Sequence, residues 1–297
     1  MKLTKLAAIV VCAVLSVVLS GCFGPSRVTL ATLDTPEAVL AGEIMALQLE
    51  DFDFEVVRGP RYQSLAELEA GMRAGEFDLS AVYLQDVLTG FSVIAESPIF
   101  DQLLAEEIVN NTIGDLFGYT LLDNWWSLNA SYTLLMRERF AHDENFSFGA
   151  LARYAPELTL AAPQEFLEGT GGLAHMRELF GVLEFGEIRV IEASELYEPA
   201  RIDADIIAVR ANIMGNRFLE ADFFTIGDNV AIWPANNFYP VASVEIMERM
   251  PEIRAILSSI SFQIDNFRFA QSVHAISQGE QTPELAAYEI LQAARTR

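Results

Sequence analysis

Lysine is almost missing from this chain. Lys2 and Lys5 are its only two, so every later basic side chain is an arginine. Schiff-base chemistry, which needs a lysine amine, has no candidate beyond residue 5. Cysteine is equally scarce, with Cys12 and Cys22 both near the N-terminus, which leaves the rest of the chain no thiol for a disulfide, a redox centre or a metal. The three histidines, His142, His175 and His274, lie far apart, and none stands at metal-ligand spacing from another. His175 falls on a predicted helix, where a surface role fits better than a catalytic one. There is no P-loop, no G-x-G-x-x-G and no G-x-S-x-G elbow. Paired acids such as Glu106-Glu107 carry little information in a chain with 42 acidic residues. The expectation is a binding module with no catalytic residue, no metal and no cofactor.

What is present starts at the N-terminus. Lys2 and Lys5 precede an uncharged apolar run, Leu6 to Leu19, which ends in Leu19-Ser20-Gly21-Cys22. This is the layout of a secretory signal with a lipobox. The run is shorter than the roughly 20 residues of a spanning helix. Residues 1–21 are therefore expected to be a lipoprotein signal peptide and Cys22 the lipid-attachment site, with 22–26 a short tether carrying Gly24-Pro25-Ser26. The expected location is extracytoplasmic, on a membrane-anchored lipoprotein at the periplasm or cell surface. Without its first 21 residues the chain carries 17 arginines against 42 acids, a balance of −25. Such a charge repels nucleic acid and anionic headgroups, so no nucleic-acid partner is expected. A 52% hydrophobic content under that charge implies a folded core rather than disorder.

Strand and helix signals alternate along the rest. Arg27–Ala31 reads as a strand. Thr35-Pro36-Glu37 opens a helix, with Thr35 as cap and Pro36 at the first position. Phe54–Val57 is a second strand, and Ser64–Ala74 a helix with Glu67 three residues after its Ser64 cap. Gly75-Glu76-Phe77-Asp78-Leu79 turns into a third strand. Further strands are predicted at Thr133–Met136, Leu158–Ala161, Ile188–Ile191 and Ile206–Val209, with helices after Ser147 and Gly171. The alternation predicts an α/β fold with parallel strands. From Val241 the pattern is nearly all helix, and Thr282-Pro283-Glu284 starts the last one. No internal repeat is visible. Two α/β halves closed by helices suit a bilobal protein whose ligand sits in the cleft, at the carboxyl ends of strands. Gly169-Thr170-Gly171-Gly172 either cradles an anion at the helix it precedes or is a bare helix-entry loop.

Several stretches resemble the substrate-binding proteins of ABC importers for quaternary-ammonium osmoprotectants (glycine betaine, choline, carnitine). Thr35-Pro36-Glu37 through Ile44 is similar to the family's early strand-to-helix segment. Gly75-Glu76-Phe77-Asp78-Leu79 with Tyr83 resembles its G-x-x-D-L…Y stretch, and Asn129 to Met136 its N-x-x-Y-A-L-x-M stretch. Leu158–Leu173, Asp205-Ile206-Ile207 and Trp233-Pro234 are similar to later segments. The resemblance implies a two-lobed type II periplasmic-binding-protein fold, each lobe a mostly parallel sheet flanked by helices. Lobe 1 would comprise 27–124 and 229–297, closed by the C-terminal helices, and lobe 2 would comprise 125–228.

The resemblance also implies a pocket of aromatic side chains around a methylated ammonium, held by cation–π attraction. Its positions fall here on Tyr83 and Tyr132. Asp86 replaces a small or polar group, and Gly169 stands where many members place an arginine for the ligand's carboxylate. Arg210 and Asn236 fall on two further tyrosine positions, and Trp233, Phe238 or Tyr239 are available to refill the cage. The implied ligand-binding set is Tyr83, Asp86, Tyr132, Arg210, Asn236 and Trp233. An ammonium would lie toward Tyr83, Tyr132 and Asp86, and a carboxylate toward Arg210. The implied partners are a small quaternary-ammonium or zwitterionic solute, a membrane permease, and the membrane itself through the lipid. The alternative is a membrane-tethered sensory or scaffolding receptor for a different zwitterion, such as an amino acid.

Overall fold

The computed structural model describes residues 26–91, 98–141, 148–169, 171–181, 183–192, 195–196, 198–210, 218, 220–226 and 232–296. The signal segment, Cys22 and His142 lie outside the described residues. Two sheets organise the chain. The first contains β1 (Arg27–Leu33), β2 (Glu55–Tyr62), β3 (Leu79–Tyr83), β4 (Tyr119–Leu121), β5 (Trp125–Asn129) and β11 (Asn237–Ser243). Its order is β2-β1-β3-β11-β4, with β5 also on β11. The second contains β6 (Tyr132–Arg137), β7 (Thr159–Ala162), β8 (Glu187–Val190), β9 (Ile206–Arg210) and β10 (Phe223–Thr225), in the order β10-β6-β9-β7-β8.

Both sheets are mixed, which corrects the expectation of mostly parallel sheets. Strands joined through crossover helices are parallel, as in β1–β2, β1–β3, β7–β8 and β7–β9. Strands that arrive directly from the other sheet are antiparallel, as in β11 on β3 and β6 on β9. Among the described residues no helix stands between β5 and β6 or between β10 and β11 to reverse them on entry. The division expected at residue 125 also shifts. β5 pairs with β11 in the first sheet, so the chain enters the second sheet only at Tyr132.

The helix Pro36–Glu50 starts as the sequence predicts, with the Thr35 hydroxyl accepting the Ala38 N–H at 3.2 Å. It is buried on nearly every side because it lies between the first sheet and the C-terminal helix Pro283–Arg295. Ile44, Met45 and Leu49 are fully buried along it. Its one buried acid, Glu43, is paired with Arg58 Nε at 2.9 Å, as a charge in that position requires. The last helix is capped as predicted, Thr282 Oγ accepting the Leu285 N–H.

The same device sets the register in both sheets. Gly75 closes the helix Leu65–Ala74 at φ 65°, a conformation that favours glycine. Asp78 then precedes β3. Its carboxylate accepts the Thr29 N–H of β1 at 2.7 Å, and its own N–H donates to the Thr29 carbonyl at 2.8 Å. In the second sheet Asp205 precedes β9. Its carboxylate accepts the Thr159 N–H at 2.9 Å, and its N–H donates to the Thr159 carbonyl at 3.0 Å. The chain has no repeat in sequence, yet each sheet carries one aspartate that locks a pair of parallel strands. Replacing Asp78 or Asp205 by alanine should each cost ~2 kcal/mol, because a strand N–H loses a charged acceptor. Asparagine should recover much of it. Urea unfolding midpoints of the four variants provide the check.

Candidate functional site

The six residues implied by the resemblance all come from the end of the sheets where the chain passes between them. Tyr83 ends β3, and Asp86 lies in the first turn of the helix Leu84–Gly90. Tyr132 opens β6 and is paired in register with Arg210, which ends β9. Trp233 and Asn236 lie on the return segment just before β11.

Two crossings tie this region together. Asn129 Oδ1 accepts the N–H of Ser131 at 2.8 Å and that of Asn236 at 3.2 Å. The Ser131 hydroxyl lies 2.7 Å from both Asn129 Oδ1 and the Pro234 carbonyl. The Ala130 N–H donates to the Asn236 carbonyl at 2.9 Å. Asn236 then reaches outward with its side chain. Its Oδ1 accepts the buried N–H of Gln85 at 2.8 Å, and its Nδ2 donates to Asp86 at 2.9 Å. Asp86 in turn faces Arg210 Nη1 at 3.3 Å. A hydrogen-bonded path therefore runs from the crossings, through Asn236 and Asp86, to an arginine on the other sheet.

A cavity of about 200 Å³ lies between the two sheets. Tyr132, Arg210, Trp233 and Asn236 line it, as do Glu165 and Gly169. The Arg210 guanidinium lies 5.2 Å from the centre of the Tyr132 ring. Burial works most strongly against its charge, but Asp86 and Tyr132 together outweigh it and hold its pKa above the ordinary arginine value. Burial also pushes the Tyr132 phenol up, with Arg210 pulling the other way. Tyr132 stands edge-on to Phe166 at 5.0 Å, and Trp233 packs against Phe148 at 5.4 Å. The Tyr132 ring is thereby held in position by aromatic packing behind it.

Two of the six residues stand apart from the cavity wall. Tyr83 donates its hydroxyl to Glu37 and packs its ring on Phe238, 5.2 Å away. Asp86 supports Arg210 rather than lining the cavity. Phe238 and Tyr239 do not refill an aromatic cage. Phe238 is core, packed on Trp125, and the Tyr239 hydroxyl is engaged with Glu106, Gln102 and Asn124. The glycine run serves close approach, since a Cβ on Gly172 would fall 1.9 Å from the Phe166 carbonyl oxygen. Thr170 lies outside the described residues.

Sequence reasoning missed Glu165, Ser131 and Thr89, all on the cavity wall. One glutamate among so many acids gives no signal. It also misplaced His175, whose side chain is only 16% exposed. That imidazole packs on Phe100 at 4.5 Å, where the segment after the helix Leu84–Gly90 meets the helix Leu173–Phe180. No group of three or more His, Cys, Asp or Glu positioned to hold a metal occurs among the described residues.

This architecture is shared with known proteins. A crystal structure of a glycine betaine/carnitine/choline ABC transporter protein is 19% identical, with a TM-score of 0.75 over 89% of this chain and 97% of its own. Apo YehZ from Escherichia coli is 18% identical, with a TM-score of 0.72 over 91% and 98%. Lactococcal OpuAC, closed on glycine betaine, is 14% identical, with a TM-score of 0.53 over 91% and 97%. At these identities the likeness shows the fold, a two-lobed binding-protein architecture. No curated protein sequence matches the chain. The model for the substrate-binding domain of ABC-type glycine betaine transport systems, OpuAC, matches residues 26–293. A match over nearly the whole described chain settles the family: this protein belongs to the substrate-binding domains of ABC-type glycine betaine transport systems.

Proposed function

We propose that the cavity between the two sheets captures a small quaternary-ammonium or zwitterionic solute, of the glycine betaine, choline or carnitine kind, and that closure of the lobes presents it to a membrane permease. The family role is solute binding outside the cytoplasm for an ABC importer, and no bond is made or broken. The observation that carries the ligand reading is the Tyr132 ring, packed on Phe166, on the wall of a cavity of about 200 Å³. That volume lies below the roughly 300–1,000 Å³ of drug-sized sites, and a methylated cation favours an aromatic face over water. The similar structures named for glycine betaine, carnitine and choline support the same class.

In this reading Tyr132 and Trp233 form the apolar wall. Arg210 and Asn236 form the polar one, with Asp86 behind Arg210, and Tyr83 is hydrogen-bonded to Glu37 behind the site. The lobes divide where the chain passes between the sheets, near residues 130–131 and on the return at 232–236, and hinge motion is absorbed there. Cys22 carries the lipid that holds the domain at the membrane. No helix among the described residues is long and apolar enough to cross one.

A thermal-shift screen of the full chain against betaines, choline, carnitine and amino acids tests this directly. Stabilisation by at least one methylated ammonium compound is expected. Stabilisation by amino acids alone would transfer the site to the alternative receptor. Tyr132→Ala should weaken binding about 30-fold, equivalent to ~2 kcal/mol, whereas Tyr132→Phe keeps the ring face and most of the affinity. If Tyr132→Ala instead lowers the melting temperature by more than about 8 °C, the ring belongs to the core, because ~1 kcal/mol shifts a chain this size by a few degrees. Asn236→Ala strands the buried Gln85 N–H and should cost ~2 kcal/mol in urea unfolding.

A further inference from the structure

The charges around the cavity do not balance. Arg210 is the only cationic side chain on its wall among the described residues. That guanidinium already has an acidic counter-charge, with Nη1 3.3 Å from Asp86 Oδ1. Asp86 is itself satisfied, accepting the Asn236 amide at 2.9 Å as well. The pair is neutral in sum. Glu165 remains, on the short helix Gln164–Glu168 of the second lobe. Its carboxylate has no hydrogen-bond or ion-pair partner among the described residues, and it lines the same cavity as the Tyr132 ring. Asp86, Arg210 and Glu165 together leave one uncompensated negative charge.

A zwitterion gains little from this arrangement. Its carboxylate would share the Arg210 fork with Asp86, bringing two acids onto one guanidinium, and it would sit in a cavity that already holds a surplus anion. A monocation supplies the one missing charge and asks nothing of Arg210. Its methylated head can rest on Tyr132 with Glu165 as the counter-charge.

We propose that Glu165 is the residue that selects solute charge, and that the cavity prefers a small organic monocation without a carboxylate, choline-like, over a zwitterion such as glycine betaine. Arg210 is then a positioning residue, which fixes Asp86 and lies over the Tyr132 ring, rather than receiving a ligand carboxylate. The inference rests on the reading that the cavity takes a methylated ammonium compound.

Calorimetric titration of the full chain in mild detergent, with choline and with glycine betaine at low and at physiological salt, tests it. Choline should bind at least tenfold more tightly than glycine betaine, and its affinity should fall with salt. Glu165→Gln should weaken choline at least tenfold, change glycine betaine less than threefold, and remove most of the salt dependence. Glu165 is exposed on its helix, so the variant's melting temperature should match that of the parent. Glu165→Asp, which keeps the charge, should retain the preference for choline. Equal or tighter binding of glycine betaine by the parent overturns the inference while leaving the methylated-ammonium reading intact. So does an equal loss of both ligands in Glu165→Gln. Failure of both compounds to bind the parent overturns that reading, and this inference with it.

Discussion

The geometry of the cleft depends on what one asparagine does with both of its ends. The Asn236 backbone is bonded into the crossings through Asn129, Ala130 and Ser131. Its amide holds Gln85 and Asp86 at the start of a first-lobe helix. Gln85 uses its own amide to fix Ile99, accepting the Ile99 N–H at 3.1 Å and donating to its carbonyl at 2.7 Å. Asp86 fixes Arg210 on the second sheet. Gln85, Asp86 and Arg210 are thus referenced, within one or two hydrogen bonds of Asn236, to the segment where the lobes join. Buried networks of this kind are rigid only when each member is satisfied, which is why a single truncation at Asn236 should be felt in several places.

Much of the fold was legible in the sequence because local chemistry dictates it. Thr35, Ser64 and Thr282 cap helices where their side chains alone predict it. The G-x-x-D-L stretch turned out to be a physical unit: a left-handed glycine that ends a helix, and an aspartate that locks the next strand. What escaped were facts of long-range pairing. Nothing local in Trp125–Asn129 says that it will add to β11 rather than open the second sheet. Strand direction was misread for the same reason, since direction is set by where the chain comes from.

The site was half legible. Four of the six implied residues do line the cavity, since strand ends are recognisable and strand ends make the cleft. The roles were harder to read. Tyr83 was expected on a cation, and instead its hydroxyl meets Glu37 across 46 residues of sequence. Arg210 was expected to await a carboxylate, and it has one from the protein. In a chain with 42 acids and so few bases, a half-buried arginine is rarely left without an acidic partner, and many of the others face acids too. Composition foretold that Arg210 would be paired, but only the fold could name Asp86.

The paired aspartates Asp78 and Asp205 have a mechanical consequence. Each locks the register inside its own sheet and none of its bonds reaches the other, so the two sheets behave as stiff plates. The ties described across the gap are lighter: an ion pair about a third exposed to solvent and a ring contact at the rim. Contacts of that type are worth on the order of 1 kcal/mol each, close to thermal energy. In the proposed closure the rigidity lies within each sheet and the compliance between them. Breathing of the gap then costs little, and it leaves intact the surfaces that must meet again when it shuts.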